Sequence, residues 1–161
     1  MLPFKNILSP TDFSEPSYKA IKFAGELALH FKSKLVVLHV VALTPVLRSG
    51  EVPTTFDIKE FQQRLEEDAW KQLNEVTDRL LPKEIKDFTP VISTGYYPDE
   101  ILRVAKEGKH DLIVMGTRGR TGLPHLLLGS VAERVVQLAS CPVLTVGPTV
   151  DIEIPADLLR L

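Results

Sequence analysis

Apolar residues recur along this chain with two alternating periods, and that alternation predicts a fold. Phe4–Ser9 (FKNILS) reads as a first strand ended by Pro10. Ser14 stands where a helix N-cap is wanted, with Glu15 in the first turn. Ala20, Ile21, Ala24, Leu27, Ala28 and Phe31 then recur at helical spacing. Lys34–Val41 (KLVVLHVV) is a nearly continuous β-branched run, as in a strand covered on both faces. Ile58–Leu81 is a long amphipathic helix, with Phe61, Leu65, Ala69, Leu73, Val76 and Leu80 on one face and Trp70 beside it. Phe88–Thr94 (FTPVIST) is a strand that Pro90 places toward a sheet edge. Pro98, Ile101, Leu102 and Ala105 outline a short helix. Asp111–Met115 (DLIVM) is another buried strand. Ser130–Ala139 is a helix for which Ser130 and Glu133 spell a capping box, and Pro142–Val146 (PVLTV) is the last strand.

Strands alternating with helices predict a single-domain α/β fold: an open five-stranded parallel sheet of order 3-2-1-4-5 with helices on both faces. The domain is expected over residues 1–146 and a tail over 147–161. Val150, Ile152 and Ile154, spaced by acids, make the tail too apolar to fray freely, so it is expected to dock on its own domain or on a partner subunit. Residues 42–57 carry Pro45, Gly50 and Pro53 without any period, and a connection of this length is expected to be a lid or contact loop.

Composition narrows the partners. Among 161 residues the formal net charge is −2, so no global positive field draws nucleic acid or an anionic membrane, and any anion site must be local. Cys141 is the single cysteine, which excludes an intrachain disulfide. With no leader-like start and no apolar run near the ~20 residues of a membrane span, the expectation is a cytoplasmic protein.

The strongest chemical signal is GTRGRTGLPHLLLGS, which spaces Gly116, Gly119, Gly129 and Ser130 as Gly-x2-Gly-x9-Gly-Ser. It leaves a buried strand and enters a helix. Gly116 is read as admitting close approach of a ligand to the backbone, and Gly119 as turning the loop amides inward. Gly129 and Ser130 open a helix whose first amides lack partners, a place that favours phosphate. Arg118 and Arg120 add local positive charge. The competing structural reading is a flexible loop with an ordinary cap. No Gly-Lys-Ser/Thr follows, so this is not a Walker loop, and a dinucleotide fingerprint would follow the first strand instead.

A second signal is Pro10-Thr11-Asp12-Phe13-Ser14, just past the first strand. In a 3-2-1-4-5 sheet, strands 1 and 4 part where the winding reverses, so Asp12 lies opposite Gly116. Its carboxylate is placed either to accept ribose hydroxyls or to help cap the first helix. Val40 borders the same crevice, as a base contact or as a plain core valine. His30, His39, His110 and His125 show no metal-ligand spacing, and Cys141 lacks a basic neighbour in sequence, as in an inert thiol.

PTDFS, LHVV, DLIVMGTRGRTG, LLLGSVAERV and CPVLTV together resemble the universal stress protein family over roughly Phe4–Val146, and the glycine spacing resembles its ATP-binding branch. The resemblance implies a fold akin to the adenine nucleotide α-hydrolases and a homodimer paired through Val143–Val146. It implies ATP as ligand, with Mg accompanying the phosphates, and a part in stress response and signalling. It places Asp12 at the ribose, with Pro10 and Thr11 among the binding residues, Val40 at adenine, and Met115 and Gly116 beneath the ribose. Arg118, Gly119, Gly129, Ser130 and Val131 fall at the phosphates. Two other readings stay open: a slow ATPase or phosphoryl-transfer enzyme, for which Asp12 is the one evident carboxylate, and a nucleotide-free interaction module.

Overall fold

The computed structural model describes residues 3–43, 57–117 and 128–160. In chain order these form β1 (Asn6–Thr11), α1 (Glu15–Phe31), β2 (Lys34–Val41), α2 (Ile58–Leu80), β3 (Phe88–Thr94), α3 (Tyr97–Glu107), β4 (Leu112–Gly116), α4 (Ser130–Leu138), β5 (Val143–Val146) and a 3₁₀ turn at Leu158–Arg160. The five strands form one parallel sheet of order β3-β2-β1-β4-β5, as the alternation predicts. Successive strand residues point to opposite faces, so Ile7, Val37 and Val114 pack with α1 and α2, while Leu8, Leu38 and Ile113 pack with α3 and α4. All six side chains are fully or almost fully buried.

Proline placement follows from which way each peptide points. Leu35 N donates to Asp87 O, so odd residues of β3 face β2, and Pro90 turns its missing donor outward from this edge strand. Pro10 departs from expectation. It does not end β1 but lies inside it, opposite Leu38. Lys34 N donates to Lys5 O, which puts odd β1 residues toward β2 and even ones toward β4. The β1–β4 ladder ends at Leu8–Ile113, the last pairing before a Pro10 N–H would be required, so the proline stops that ladder without ending β1, which stays paired with β2 to Thr11.

Other boundaries moved for local reasons. Asp111 is outside β4: its carboxylate accepts from Lys5 N (2.8 Å) and Asn6 N (3.0 Å), tying the start of β4 to the start of β1. Asp57 caps α2, accepting from Lys59 N and Glu60 N at 3.0 and 3.1 Å. Among the described residues no helix is long and apolar enough to cross a membrane.

Candidate functional site

β1 and β4 are neighbours, yet the chain leaves them toward opposite faces, into α1 and α4 respectively. Their carboxyl ends therefore open a crevice, the place where ligands sit in sheets of this type.

On the β1 side the backbone is held by short-range bonds. Phe13 takes the left-handed conformation (φ 62°). Its N–H donates to Thr11 Oγ1 at 3.0 Å, and the Thr11 and Ser17 hydroxyls lie 2.8 Å apart. The Phe13 ring stacks on His39 with centroids 4.1 Å apart, and His39 Nδ1 lies 2.9 Å from Thr11 O, so this nitrogen carries the proton toward the carbonyl. Asp12 Oδ1 accepts from Ser14 N (3.1 Å) and from the Ser14 hydroxyl. Ser14 is the N-cap residue of α1 by backbone, but its side chain makes no cap bond because it turns to Asp12. That carboxylate therefore organises the entry to α1.

On the β4 side, Gly116 has a reason the sequence reading did not supply. A Cβ there would meet the Pro16 backbone C and O at 3.0 Å and Pro16 Cβ at 3.2 Å. The absent side chain lets the first turn of α1 lie against β4. Thr117 N donates to Val146 O at 3.0 Å, and Gly129 N donates to Thr117 O at 2.7 Å. Both ends of the glycine-rich loop are thus pinned together. Arg118, Gly119, Arg120 and His125 lie outside the described residues, as does most of the 42–57 connection.

The capping box expected at Ser130 does not form. Gly129 is the N-cap (φ −73°, ψ 159°), Ser130 is the first helical residue, and among the described residues no side chain caps α4. The first intrahelical bond runs from Glu133 N to Gly129 O at 2.9 Å, so the N–H groups of Ser130, Val131 and Ala132 precede the ladder. Ser130 is exposed and Val131 half-buried. At the loop root, Thr117 Oγ1 is buried and has no hydrogen-bond partner. Thr117 was missed from sequence, although a polar residue directly after Gly116, between strand end and loop, is itself a signal.

Val40 and Met115 are 4% and 5% exposed and share one apolar cluster, against which Val131 also packs. The strand alternation points the peptide of Val40 toward β1, which ends at Thr11 opposite His39. Pro10, Thr11, Asp12, Val40, Met115, Gly116, Gly129, Ser130 and Val131 are therefore all on elements that meet at one edge of the sheet. The donor set suits an anion beside an apolar ring: helix amides with no intrahelical partner and a buried hydroxyl on one side, a carboxylate and a buried valine on the other. Among the described residues no three of His, Cys, Asp and Glu cluster as a metal site would. Cys141 is half-buried, and burial first, then the Asp111 charge, pushes its thiol above the ordinary range.

Comparison with known proteins adds the following. The model of the universal stress protein family matches residues 3–147. The universal stress protein MJ0531 of Methanocaldococcus jannaschii is 37% identical over 143 residues, covering 89% of this chain and 82% of that protein. The solved structure of MJ0577, from the same organism, superposes with a TM-score of 0.77 at 29% identity, covering 91% of this chain and 97% of the other. A universal stress protein solved in complex with cAMP superposes with a TM-score of 0.66 at 25% identity, covering 89% and 97%.

Proposed function

Because the chain belongs to the universal stress protein family, we propose that its crevice binds an adenine nucleotide, specifically ATP, and that binding serves a stress-response regulator. The observation that carries this reading is the Gly129 N to Thr117 O bond, which holds the mouth of the glycine loop against the first turn of α4. It keeps the unpaired Ser130 and Val131 amides at the crevice, where the helix dipole favours phosphate. The orphaned Thr117 hydroxyl gains a partner when a phosphate or ribose oxygen arrives. Asp12 has carboxylate lone pairs for ribose hydroxyls, flanked by Pro10 and Thr11. Met115 and Gly116 lie beneath the sugar, and the Val40 peptide meets the base edge. Arg118 and Gly119 complete the phosphate contacts in this proposal, with Mg offsetting charge on the phosphates. The relative bound to cAMP supports an adenine nucleotide in a fold of this kind.

The protein is further proposed to act in the cytoplasm as a homodimer paired through the free edge of β5, Val143–Val146, and to work by binding rather than turnover. Mass spectrometry of denatured, freshly purified protein should reveal a co-purifying adenine nucleotide. Calorimetry with Mg-ATP should give a saturable isotherm. Asp12→Ala should weaken it by about 10- to 150-fold, the range for hydrogen bonds to a charged group. Flat titrations of well-folded protein with ATP and with cAMP alike overturn the reading.

A further inference from the structure

Residues 148–160 lie past the span matched by the family model, yet they are bound to the domain at points from Pro148 to Leu158. Lys19 Nζ donates to Pro148 O at 2.8 Å, and Lys22 Nζ donates to Glu153 O at 3.0 Å. Ile152 and Ile154 pack against the apolar cluster beneath α1 and α2. Asp157 ion-pairs with Arg79 near the end of α2. Leu158 is 1% exposed, a full member of that core. Its seat is shaped by the 3₁₀ turn, with Leu158 N donating to Pro155 O at 3.0 Å. The segment leaves β5 at the crevice edge and descends along α1 to the far end of α2.

Its upper anchor is next to the site. Lys19 is 9% exposed, and its ammonium has two partners, the Pro148 carbonyl and the Glu15 carboxylate at 3.3 Å. Glu15 adjoins Pro16, the residue wedged against Gly116. The same turn begins at Ser14, which is bonded to Asp12. A buried lysine stripped of one acceptor would pull toward water, and the preceding turn, to which Glu15 ties it, touches Asp12 on one side of the crevice and Gly116 on the other.

We infer that residues 148–160 are an intrachain strap, seated by Leu158 and tied to Lys19, which fixes the first turns of α1 and is positively coupled to occupancy of the crevice. The coupling half rests on the nucleotide reading above; the strap itself does not. Docking and ligand binding then favour one another by the same factor.

Two altered chains test this: one ending at Gly147, and the full chain carrying Leu158→Ala, which remains informative if the shorter one does not fold. Leu158→Ala should lower the melting temperature by roughly 4–20 °C, from the usual cost of emptying a leucine site and the temperature shift per unit stability for this size. Hydrogen exchange should accelerate in the first two turns of α1 as well as in the strap, and the ATP dissociation constant should rise at least about 5-fold. Unchanged exchange at residues 15–22 in the Leu158→Ala chain overturns the link to α1. A wild-type melting temperature that climbs with protein concentration, and loses that dependence on truncation, overturns intrachain docking in favour of an exchanged arm. An ATP affinity equal in wild type and variants overturns the coupling. If wild type binds no nucleotide, the proposed function fails, while exchange and melting still decide the strap.

Discussion

Gly116→Ala separates two reasons for a glycine at the end of β4. If its role were only to admit a ligand, alanine would leave the ligand-free protein unharmed. It would even add about 0.4–1 kcal/mol by restricting the unfolded chain. The structure points the other way. The new methyl would meet Pro16 C and O at 3.0 Å. Those are main-chain atoms of a helix turn, so no side chain can swing aside, and the start of α1 must shift by a few tenths of an ångström. Overpacking of this kind costs about 1–3 kcal/mol, which leaves a net loss of up to about 2.6 kcal/mol after the unfolded-state gain. Gly147→Ala is the internal control, because a Cβ there meets nothing within 4 Å. Urea unfolding of the ligand-free proteins, with the slope compared between variants, measures the difference. Gly116→Ala should unfold at lower urea than wild type and Gly147→Ala at equal or higher urea. If Gly116→Ala matches or exceeds wild-type stability, the packing of α1 on β4 is not what demands the glycine.

Thr117→Val should behave in the opposite sense. Removing a buried hydroxyl that has no partner should leave ligand-free stability equal or higher by up to about 1–2 kcal/mol, while nucleotide binding measured by calorimetry weakens. His110 gives a pH window. Burial holds its imidazole below the ordinary value of 6.5, against the opposing pull of the Val104 and Ala105 carbonyls and the Asp111 charge. The unfolded chain therefore binds this proton first. The contribution is full above pH ~6.5 and is lost as pH falls through the folded value. Urea midpoints should drop on acidification below ~6.5, and His110→Gln should flatten that slope; an unaltered slope refutes the assignment. Gly108→Ala should disturb the same ring, since its Cβ would collide with His110 Cε1, and the cost read by urea unfolding should shrink in a His110→Ala background.

Much of the fold was legible because hydrophobic period is a local property of the chain. The β-branched runs of β2 and β4 and the stripes of α1 and α2 are written in consecutive residues, and their alternation leaves few topologies. The edge position of β3 followed from Pro90, whose own chemistry forbids a central place on its outward side. The same rule misled at Pro10, because a proline forfeits a bond only on the side its missing N–H would face: the β1–β4 ladder stops at Leu8–Ile113 while β1 stays paired with β2 to Thr11. Ser130 was misplaced by one position since a serine–glutamate pair specifies a cap only if the chain enters the helix there. Here Gly129, held by Thr117 O, fixes the entry.

Sequence alone determined the order of elements, the sheet, and a cluster of glycine, hydroxyl and carboxylate residues at two strand ends. Tertiary structure decided what each of those residues is for. Gly116 makes room for Pro16, Asp12 holds Ser14, and Thr117 is left with a buried hydroxyl. It also chose Leu158 as the tail residue seated in the core. The reason is physical: periodicity reports which face of an element is apolar, but unmet donors, filled gaps and buried anchors exist only between elements brought together from distant parts of the chain.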